Sequence, residues 1–362
     1  MCIRDSYSAI ASFDSPNSIK VQNAGLQLSE TLQAKHIVIA SGSIPVDIPI
    51  AKVDNKTILD STGALSLQTV PNRLGIIGAG VIGLEMGSVW NRLGSDVVIL
   101  EAMPEFLSTA DKAIAKEAQK ILSKQGLDIR LNSLVKEVAV DNGKVLVKYE
   151  TNEEQKSLEV DKLVVAVGRK ANIDGLDLDV VGIKVDQKGF IETNQHWQTN
   201  IDNVYAIGDV IGGAMLAHKG SEEGIAIAER LAGQHAEMGH ENIPWVIYTW
   251  PEIAWAGKTE QQCKQEKIKI RVGSFPFMAL GRARAMGDTD GVFKIISDFN
   301  TDQVLGVHII GPNASELISE AVVAMESELT AEDLARTMHA HPSLAEGLHE
   351  AALAVDKRAI HI

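Results

Sequence analysis

Leu74-Gly75-Ile76-Ile77-Gly78-Ala79-Gly80-Val81-Ile82-Gly83-Leu84-Glu85-Met86 runs from an apolar stretch through three glycines spaced G-x-G-x-x-G into an amphipathic segment that reaches about Leu93. Glycines at this spacing also occur in ordinary loops, so the flanks decide the reading. A strand-like run precedes Gly78 and a helical pattern follows Gly83, the setting that a phosphate-binding turn requires. Gly78 permits the tight turn, Gly80 lets the backbone approach a pyrophosphate, and Gly83 allows close packing of helix on strand. Free N–H groups at the helix start then receive the phosphates. The next strand, Val97-Val98-Ile99-Leu100, ends in Glu101, 23 residues after Gly78. A carboxylate there accepts hydrogen bonds from both adenine-ribose hydroxyls and repels a 2′-phosphate, so the expected cofactor is NAD rather than NADP. The alternative is a glycine turn beside a solvated glutamate.

Outward from this motif the chain alternates strands and helices. Upstream, Lys35 to Ser43 reads as a buried strand, Ile37-Val38-Ile39, running into Ala40-Ser41-Gly42-Ser43, after which Pro45 and Pro49 mark an irregular connection. Downstream, Ala113 to Gln125 carries a helical period with Ala115, Ala118, Ile121 and Leu122 on one face. Leu127 to Leu131, Val145 to Tyr149 and Leu163 to Val167 are strand-like. This alternation argues for an α/β domain with a mainly parallel sheet. From about Ile243 the texture changes: Trp245, Tyr248, Trp250 and Trp255 cluster, strands Phe293 to Ile296 and Val304 to Ile310 follow, then helices Ala314 to Met325, Thr330 to Met338 and Ser343 to Val355. Strands followed by helices predict a separate α+β domain.

Composition bounds the function. A chain of 362 residues favours two or three domains, and 45% hydrophobic with 23% charged residues excludes general disorder. The net charge of −14 disfavours nucleic acid, which needs basic surface, and would attract a basic protein partner. Two cysteines, Cys2 and Cys263, exclude a disulfide scaffold and a Cys-rich metal site. His218, His308, His349 and His361 lack partners at metal-ligand spacing, so no metal is expected. The longest apolar runs are too short for a membrane span, and no export signal opens the chain. The expectation is a soluble, cytoplasmic protein.

Three further stretches carry a resemblance: Tyr205-Ala206-Ile207-Gly208-Asp209-Val210 with Met215-Leu216-Ala217-His218; Tyr248-Thr249-Trp250-Pro251-Glu252-Ile253; and His339-Ala340-His341-Pro342-Ser343-Leu344-Ala345-Glu346. Singly, a Gly-Asp turn or a Met-Leu pair is ordinary. In this order, from about Tyr7 to Ile362, they resemble the class I flavin-dependent pyridine-nucleotide disulfide oxidoreductases, and among these the dihydrolipoyl dehydrogenase branch. The resemblance implies tandem Rossmann-like FAD/NAD(P)-binding domains, the first incomplete, followed by an α+β dimerisation domain. Its boundaries would be 1–70 for a remnant of the FAD-binding domain and 71–198 for the NAD-binding domain. Residues 199–242 would be a return segment of the FAD-binding domain, and 243–362 the interface domain. It further implies oxidation of the dihydrolipoyl group of an acyltransferase or carrier protein within a 2-oxo acid dehydrogenase complex, using FAD and NAD. The expected assembly is a homodimer in which His341 of one subunit lies over the flavin of the other, and which docks on a small basic domain.

Residue by residue, the same resemblance places Asp209 on the ribityl chain of FAD, Met215, Leu216, Ala217 and His218 along the flavin, and Ala40, Ser41, Gly42 and Ser43 at the crossing between domains. Along NAD it sets Gly78, Ala79, Gly80, Val81, Ile82, Gly83, Glu101, Val135 and Gly168, with Glu85 just inside the helix. His341 would take a proton from a dihydrolipoyl thiol, because the thiolate is the attacking species; an ordinary imidazole pKa of about 6.5 suits this task. Glu346 would orient the ring and stabilise the imidazolium. Ser343-Leu344-Ala345-Glu346 also fits a helix capping box, and both roles stay open. His339 reads as a structural polar residue rather than a second base.

The chain departs from the family pattern in two respects. A complete member opens with its own G-x-G-x-x-G for FAD, followed by a pair of cysteines separated by four residues and a nearby lysine; this sequence has neither. Cys2 and Cys263 do not stand in, and Met1 to Ser6 reads as an unrelated scrap joined to a truncated gene fragment. Glu85, which pairs with that lysine in the family, has no such partner, so a helix-surface glutamate near a helix N-terminus gains weight. A glutathione- or mercury-type reductase would want NADP and a basic residue near position 101. A pyridine-nucleotide transhydrogenase would need no disulfide, yet has no use for a thiol base. A non-catalytic, NAD-binding, dimer-forming fragment is the remaining alternative, and the chain as written is expected not to oxidise dihydrolipoamide.

Overall fold

Strands that read as continuous apolar runs are those that bury both faces, and here they form a parallel sheet. The computed structural model describes residues 5–23 and 28–362; Cys2 and Met1 to Arg4 lie outside them. The chain divides into two units, Met1–Val46 with Arg169–Gly239 and Asp47–Gly168 with His240–Ile362.

The larger unit contains a five-stranded parallel sheet in the order Ile58–Leu59, Lys162–Val165, Arg73–Ile77, Asp96–Leu100, Asp128–Arg130. Leu74, Ile76, Val97, Val98, Ile99, Leu163 and Val164 in its strands are fully buried. Helix Val81–Arg92 leaves the central strand, and helix Lys112–Lys124 buries Ile114, Ala118, Ile121 and Leu122 on the face anticipated from the periodicity. A three-stranded antiparallel meander, Leu134–Asp141, Lys144–Thr151 and Glu154–Val160, is inserted before the last parallel strand. Only its middle strand was readable in the sequence, since the outer two carry Lys and Glu on an exposed face. Asn142 and Gly143, both at positive φ, form its first tight turn.

The same unit holds a five-stranded antiparallel sheet, ordered Trp245–Ile247, Glu252–Gly257, Val304–Gly311, Val292–Asp298, Ile270–Pro276. Helices Ala314–Glu326 and Glu346–Val355 contact it. Its core is built on Phe275, Phe277 and Phe293, all fully buried, with the last two rings stacked at 4.4 Å. Gly347 lets helix Glu346–Val355 approach that stack, because a Cβ there would lie 2.1 Å from Phe293.

By their contacts the parallel and antiparallel sheets pack into one unit. One apolar cluster joins Leu84, Trp90 and Ile114 to Ile253, Trp255 and Ile310. A polar joint accompanies it. Lys294, 3% exposed, places its ammonium 2.5 Å from Asp111 and against Glu260. Asp111 in turn accepts the Ala113 N–H at 3.0 Å and the Glu260 N–H at 3.1 Å, so two helix starts are held by one carboxylate. His308, opposite Lys294 across the strand pair, donates through Nε2 to the Lys258 carbonyl at 3.0 Å. Burial outweighs the pull of Asp111 and depresses the His308 pKa to about 4.

In the smaller unit, Ile10–Ser15, Ser18–Asn23 and Leu28–Gln33 form an antiparallel meander. Ile37–Ile39 pairs in parallel with Val204–Ala206, and Ser43–Pro45 pairs with Arg169–Ala171. Ile37 and Ile39 are buried but Val38 is 40% exposed, since the strand is covered on one face only. The breaks between the two units fall at Val46 and Gly168: Ile58–Leu59 pairs into the parallel sheet, and Arg169–Ala171 pairs with Ser43–Pro45 in the smaller unit. Among the described residues no helix is long and apolar enough to cross a membrane, and no group of three metal-ligating side chains is assembled.

Two stability effects are expected. His308 stays neutral when folded, so its stabilisation is complete above pH 6.5 and is lost as pH falls toward 4, amounting to about 3 kcal/mol. Denaturant midpoints should therefore drop over that window, and the drop should flatten in His308→Gln; an unchanged slope would contradict this. Lys294→Met should cost about 3–5 kcal/mol, because it strands the buried Asp111 carboxylate.

Candidate functional site

At the end of strand Arg73–Ile77 the chain turns at Gly78, whose φ is +102° and whose added Cβ would lie 2.5 Å from the Ala166 carbonyl oxygen. Gly83 is equally constrained: its Cβ would sit 2.0 Å from the Gly78 oxygen. Gly80 differs, since a Cβ there meets nothing within 4 Å. It is the N-cap of helix Val81–Arg92 and has no side chain to close the helix end. The result is an open cradle of backbone over a helix start, flanked by buried Ala79 and half-buried Val81 and Ile82, and this fits a dinucleotide pyrophosphate.

Glu101 is half-buried and tied to the turn. One carboxylate oxygen accepts the Ala79 N–H at 2.7 Å, and the other accepts the Met103 N–H at 2.9 Å. The solvated-glutamate alternative does not describe it. Val135 sits in the apolar core with Ile77 and Leu100, 5% exposed. Gly168 lies on open, exposed backbone at φ +120°. Glu85 is half-buried and accepts the Tyr248 N–H at 2.9 Å, while burial raises its carboxyl pKa. The helix-surface reading of Glu85 is thereby corrected: a backbone donor from the aromatic stretch holds it.

In the smaller unit, the Ser43 hydroxyl donates to Asp209 at 2.5 Å and receives Arg169 Nε at 2.7 Å. Asn172 donates its backbone N–H to the Gly42 carbonyl at 2.9 Å and its side-chain amide to the Ser41 carbonyl at 3.1 Å. The Ser41 hydroxyl itself is buried with no partner. Gly208, at φ +72°, is gripped on both sides. Its N–H donates to Glu223 at 2.7 Å, and its carbonyl faces Lys219 Nζ at 3.3 Å. Lys219 and Glu223 form a 2.9 Å pair that is almost wholly buried. Met215 and Leu216 are half-buried, while Ala40, Ala217 and His218 are exposed. A carboxylate fixed by Ser43, with an orphaned Ser41 hydroxyl two residues earlier in the same turn, fits a polyhydroxyl chain such as the ribityl of a flavin. Sequence reasoning missed Arg169, Asn172, Lys219 and Glu223. A Lys-x-x-x-Glu spacing ordinarily marks a solvated helix face, and nothing in it announces burial.

His341 and Glu346 are brought together. His341 Nδ1 lies 2.8 Å from one Glu346 oxygen, and the Ser343 N–H donates to the other at 2.8 Å. The imidazole is 74% exposed and the carboxylate 17%. Burial alone would raise the Glu346 pKa, but the Ser343 N–H and the His341 ring hold it below its usual value. The capping box is only half formed. Helix Glu346–Val355 starts at Glu346 itself, three residues later than the sequence suggested, and the Ser343 hydroxyl is buried without a partner. One carboxylate thus tethers the backbone and orients the ring. Cys263 is fully buried in helix Glu260–Gln265, where burial raises its thiol pKa; such a thiol is inert.

Residues 8–224 match the family described as pyridine nucleotide-disulphide oxidoreductase, and residues 243–352 match its dimerisation domain. A dihydrolipoyl dehydrogenase of Cupriavidus necator is 54% identical over 334 residues, which are 92% of this chain and 70% of that protein. The mitochondrial dihydrolipoyl dehydrogenase of Pisum sativum is 45% identical over 97% of this chain and 70% of its own length. Among solved structures, the HOCl-induced flavoprotein disulfide reductase RclA of Escherichia coli superposes with a TM-score of 0.87 at 31% identity, over 95% of this chain and 78% of that one.

The glycine cradle and Glu101 predict cofactor preference. NAD should bind at least tenfold tighter than NADP, and Glu101→Arg should narrow or reverse the ratio. Equal titration curves for the two nucleotides, or an unchanged ratio in the variant, would sink the assignment.

Proposed function

This chain belongs to the pyridine nucleotide-disulphide oxidoreductase family, and from that premise we propose that His341 and Glu346 are the acid–base pair of a dihydrolipoyl dehydrogenase. The observation that carries the reading is the 2.8 Å contact between the two side chains, with Glu346 anchored by the Ser343 N–H. An ionised Glu346 keeps the proton of a neutral His341 on Nδ1, which leaves Nε2 as the acceptor. Nε2 takes the proton of a dihydrolipoyl thiol and yields the nucleophilic thiolate. The resulting imidazolium is stabilised by the carboxylate that oriented it. FAD and NAD are the cofactors of this family, and when bound they supply the passage of electrons. Ala40 to Ser43 and Asp209 would hold the first, and the turn Gly78 to Gly83 with Glu101 the second.

The substrate on this reading is a dihydrolipoyl group on an acyltransferase or carrier protein of a 2-oxo acid dehydrogenase complex. A net charge of −14 supports a basic docking surface on that partner. The assembly is a homodimer formed through 243–362. Apolar side chains exposed there, Met278 at 59%, Val323 at 65% and Met338 at 96%, are available to such an interface. A second reading, a non-catalytic NAD-binding dimer, draws support from one fact: of the two cysteines in the 362 residues, Cys263 is sealed in the core. The chain by itself supplies no redox disulfide, and a base contributing roughly 10²–10⁴-fold cannot replace an electron acceptor.

With added FAD, NAD and dihydrolipoamide, the 362-residue chain should form NADH no faster than a no-protein control; clear turnover would overturn the inactive reading. Supplying a cysteine pair and flavin-phosphate turn ahead of residue 7 should restore activity, and His341→Gln in that protein should lower kcat by about 10²–10⁴-fold. An unaffected kcat would remove His341 from the mechanism. In sedimentation the chain should be dimeric at micromolar concentration, and a well-folded monomer would refute the proposed assembly.

A further inference from the structure

Two residues before the proposed base, His339 is in a different environment. Its side chain is 6% exposed, against 74% for His341. Both of its ring nitrogens face acceptors: Nδ1 lies 2.9 Å from the Thr337 carbonyl oxygen, and Nε2 lies 2.8 Å from a Glu320 carboxylate oxygen. A neutral imidazole donates from one nitrogen only, so it would set a lone pair against one of these oxygens. A doubly protonated ring satisfies both. We propose that His339 is held as an imidazolium whose ion pair with Glu320 pins the His341 loop to helix Ala314–Glu326 and so positions the His341–Glu346 pair.

The proposal rests on the reading of His341 as the thiol base and adds a positioning residue to it. Residues 337–345 connect helices Ala331–Arg336 and Glu346–Val355 without regular structure. Among the described residues, the hydrogen-bonded side-chain ties from this loop to a helix beyond the one preceding it are His339 to Glu320 and His341 to Glu346. His341 lies between them. Loss of the first would leave the base on a tether fixed at its far end alone.

The groups facing His339 favour the cation. Glu320 comes from helix Ala314–Glu326, the Thr337 carbonyl from the loop itself, and Glu346 from the start of the next helix. The His349 ring, 5.2 Å away on that same helix, has a buried Nδ1 without a partner. The Glu320 hydrogen bond outweighs burial and raises the pKa of His339 above its ordinary value. With the folded pKa raised, the tie is complete below about pH 6.5 and is released as pH rises through the elevated midpoint.

Nitrogen-15 imidazole spectra of the full chain provide the test. Near neutral pH, His339 should show two protonated ring nitrogens and titrate above an ordinary histidine. Glu320→Gln should lower its midpoint, leave it singly protonated near pH 7.5, and speed solvent exchange of the His341 Nδ1 proton severalfold. His339→Gln should speed that exchange equally, whereas His339→Arg, which keeps a cation, should preserve much of the protection. A merely structural His339 would change the melting temperature and leave the His341 ring signal alone. A singly protonated His339 in the wild-type chain overturns the proposal without any variant, as does unchanged His341 exchange in folded Glu320→Gln. Should His341 fail as a base in the cysteine-supplemented protein while these spectra come out as expected, the base reading falls and the anchor stands.

Discussion

The buried contact between Lys294 and Asp111 is the interaction on which the larger unit depends. An ammonium from the antiparallel sheet reaches a carboxylate that already starts two helices. Charges this deep in protein survive only with several partners, and Asp111 has them: two backbone N–H groups and one lysine. The same arrangement leaves His308 beside a fixed cation, which helps to keep it neutral. Around this joint the apolar cluster closes, so the sheet that bears the dinucleotide turn and the antiparallel sheet share one core within the larger unit.

A common device recurs at four carboxylates of the candidate sites. Glu101 accepts the Ala79 N–H, Glu346 the Ser343 N–H, Glu85 the Tyr248 N–H, and Glu223 the Gly208 N–H. In each case backbone N–H donation fixes the plane of the group, and at Glu346 it also helps to hold the pKa below its usual value. At Glu346 the second oxygen then meets the His341 ring; at Glu223 it meets Lys219. Charge placement here is a property of the chain path, with side-chain rotamers following from it.

What could be read in the sequence was whatever depends on short range. The strand–turn–helix around Gly78 and the face of helix Lys112–Lys124 follow from hydrophobic period and glycine spacing, and both stand in the structure. The dyad was legible through its motif, although its helix begins at Glu346 and the serine half of the expected cap is missing. Long-range pairings escaped. Nothing local in Arg169 announces that it will reach Ser43, 126 positions away, and the polar strands of the inserted meander carry no apolar alternation strong enough to mark them. The division into two units rests on a pairing of the same long-range kind, Ser43–Pro45 with Arg169–Ala171.

The Lys219–Glu223 pair has a consequence for how this sequence can drift. Both side chains are sealed in the fold and both hold Gly208, one by its carbonyl and one by its N–H. A replacement at either position breaks this buried ion pair, and a neutral pair of similar volume would loosen the turn that presents Asp209. Single-step paths away from Lys219 and Glu223 therefore pass through poorly folded intermediates. The two positions should behave as one heritable character, lost or kept together across descendants of this chain, even where the exposed residues of the same helix vary freely.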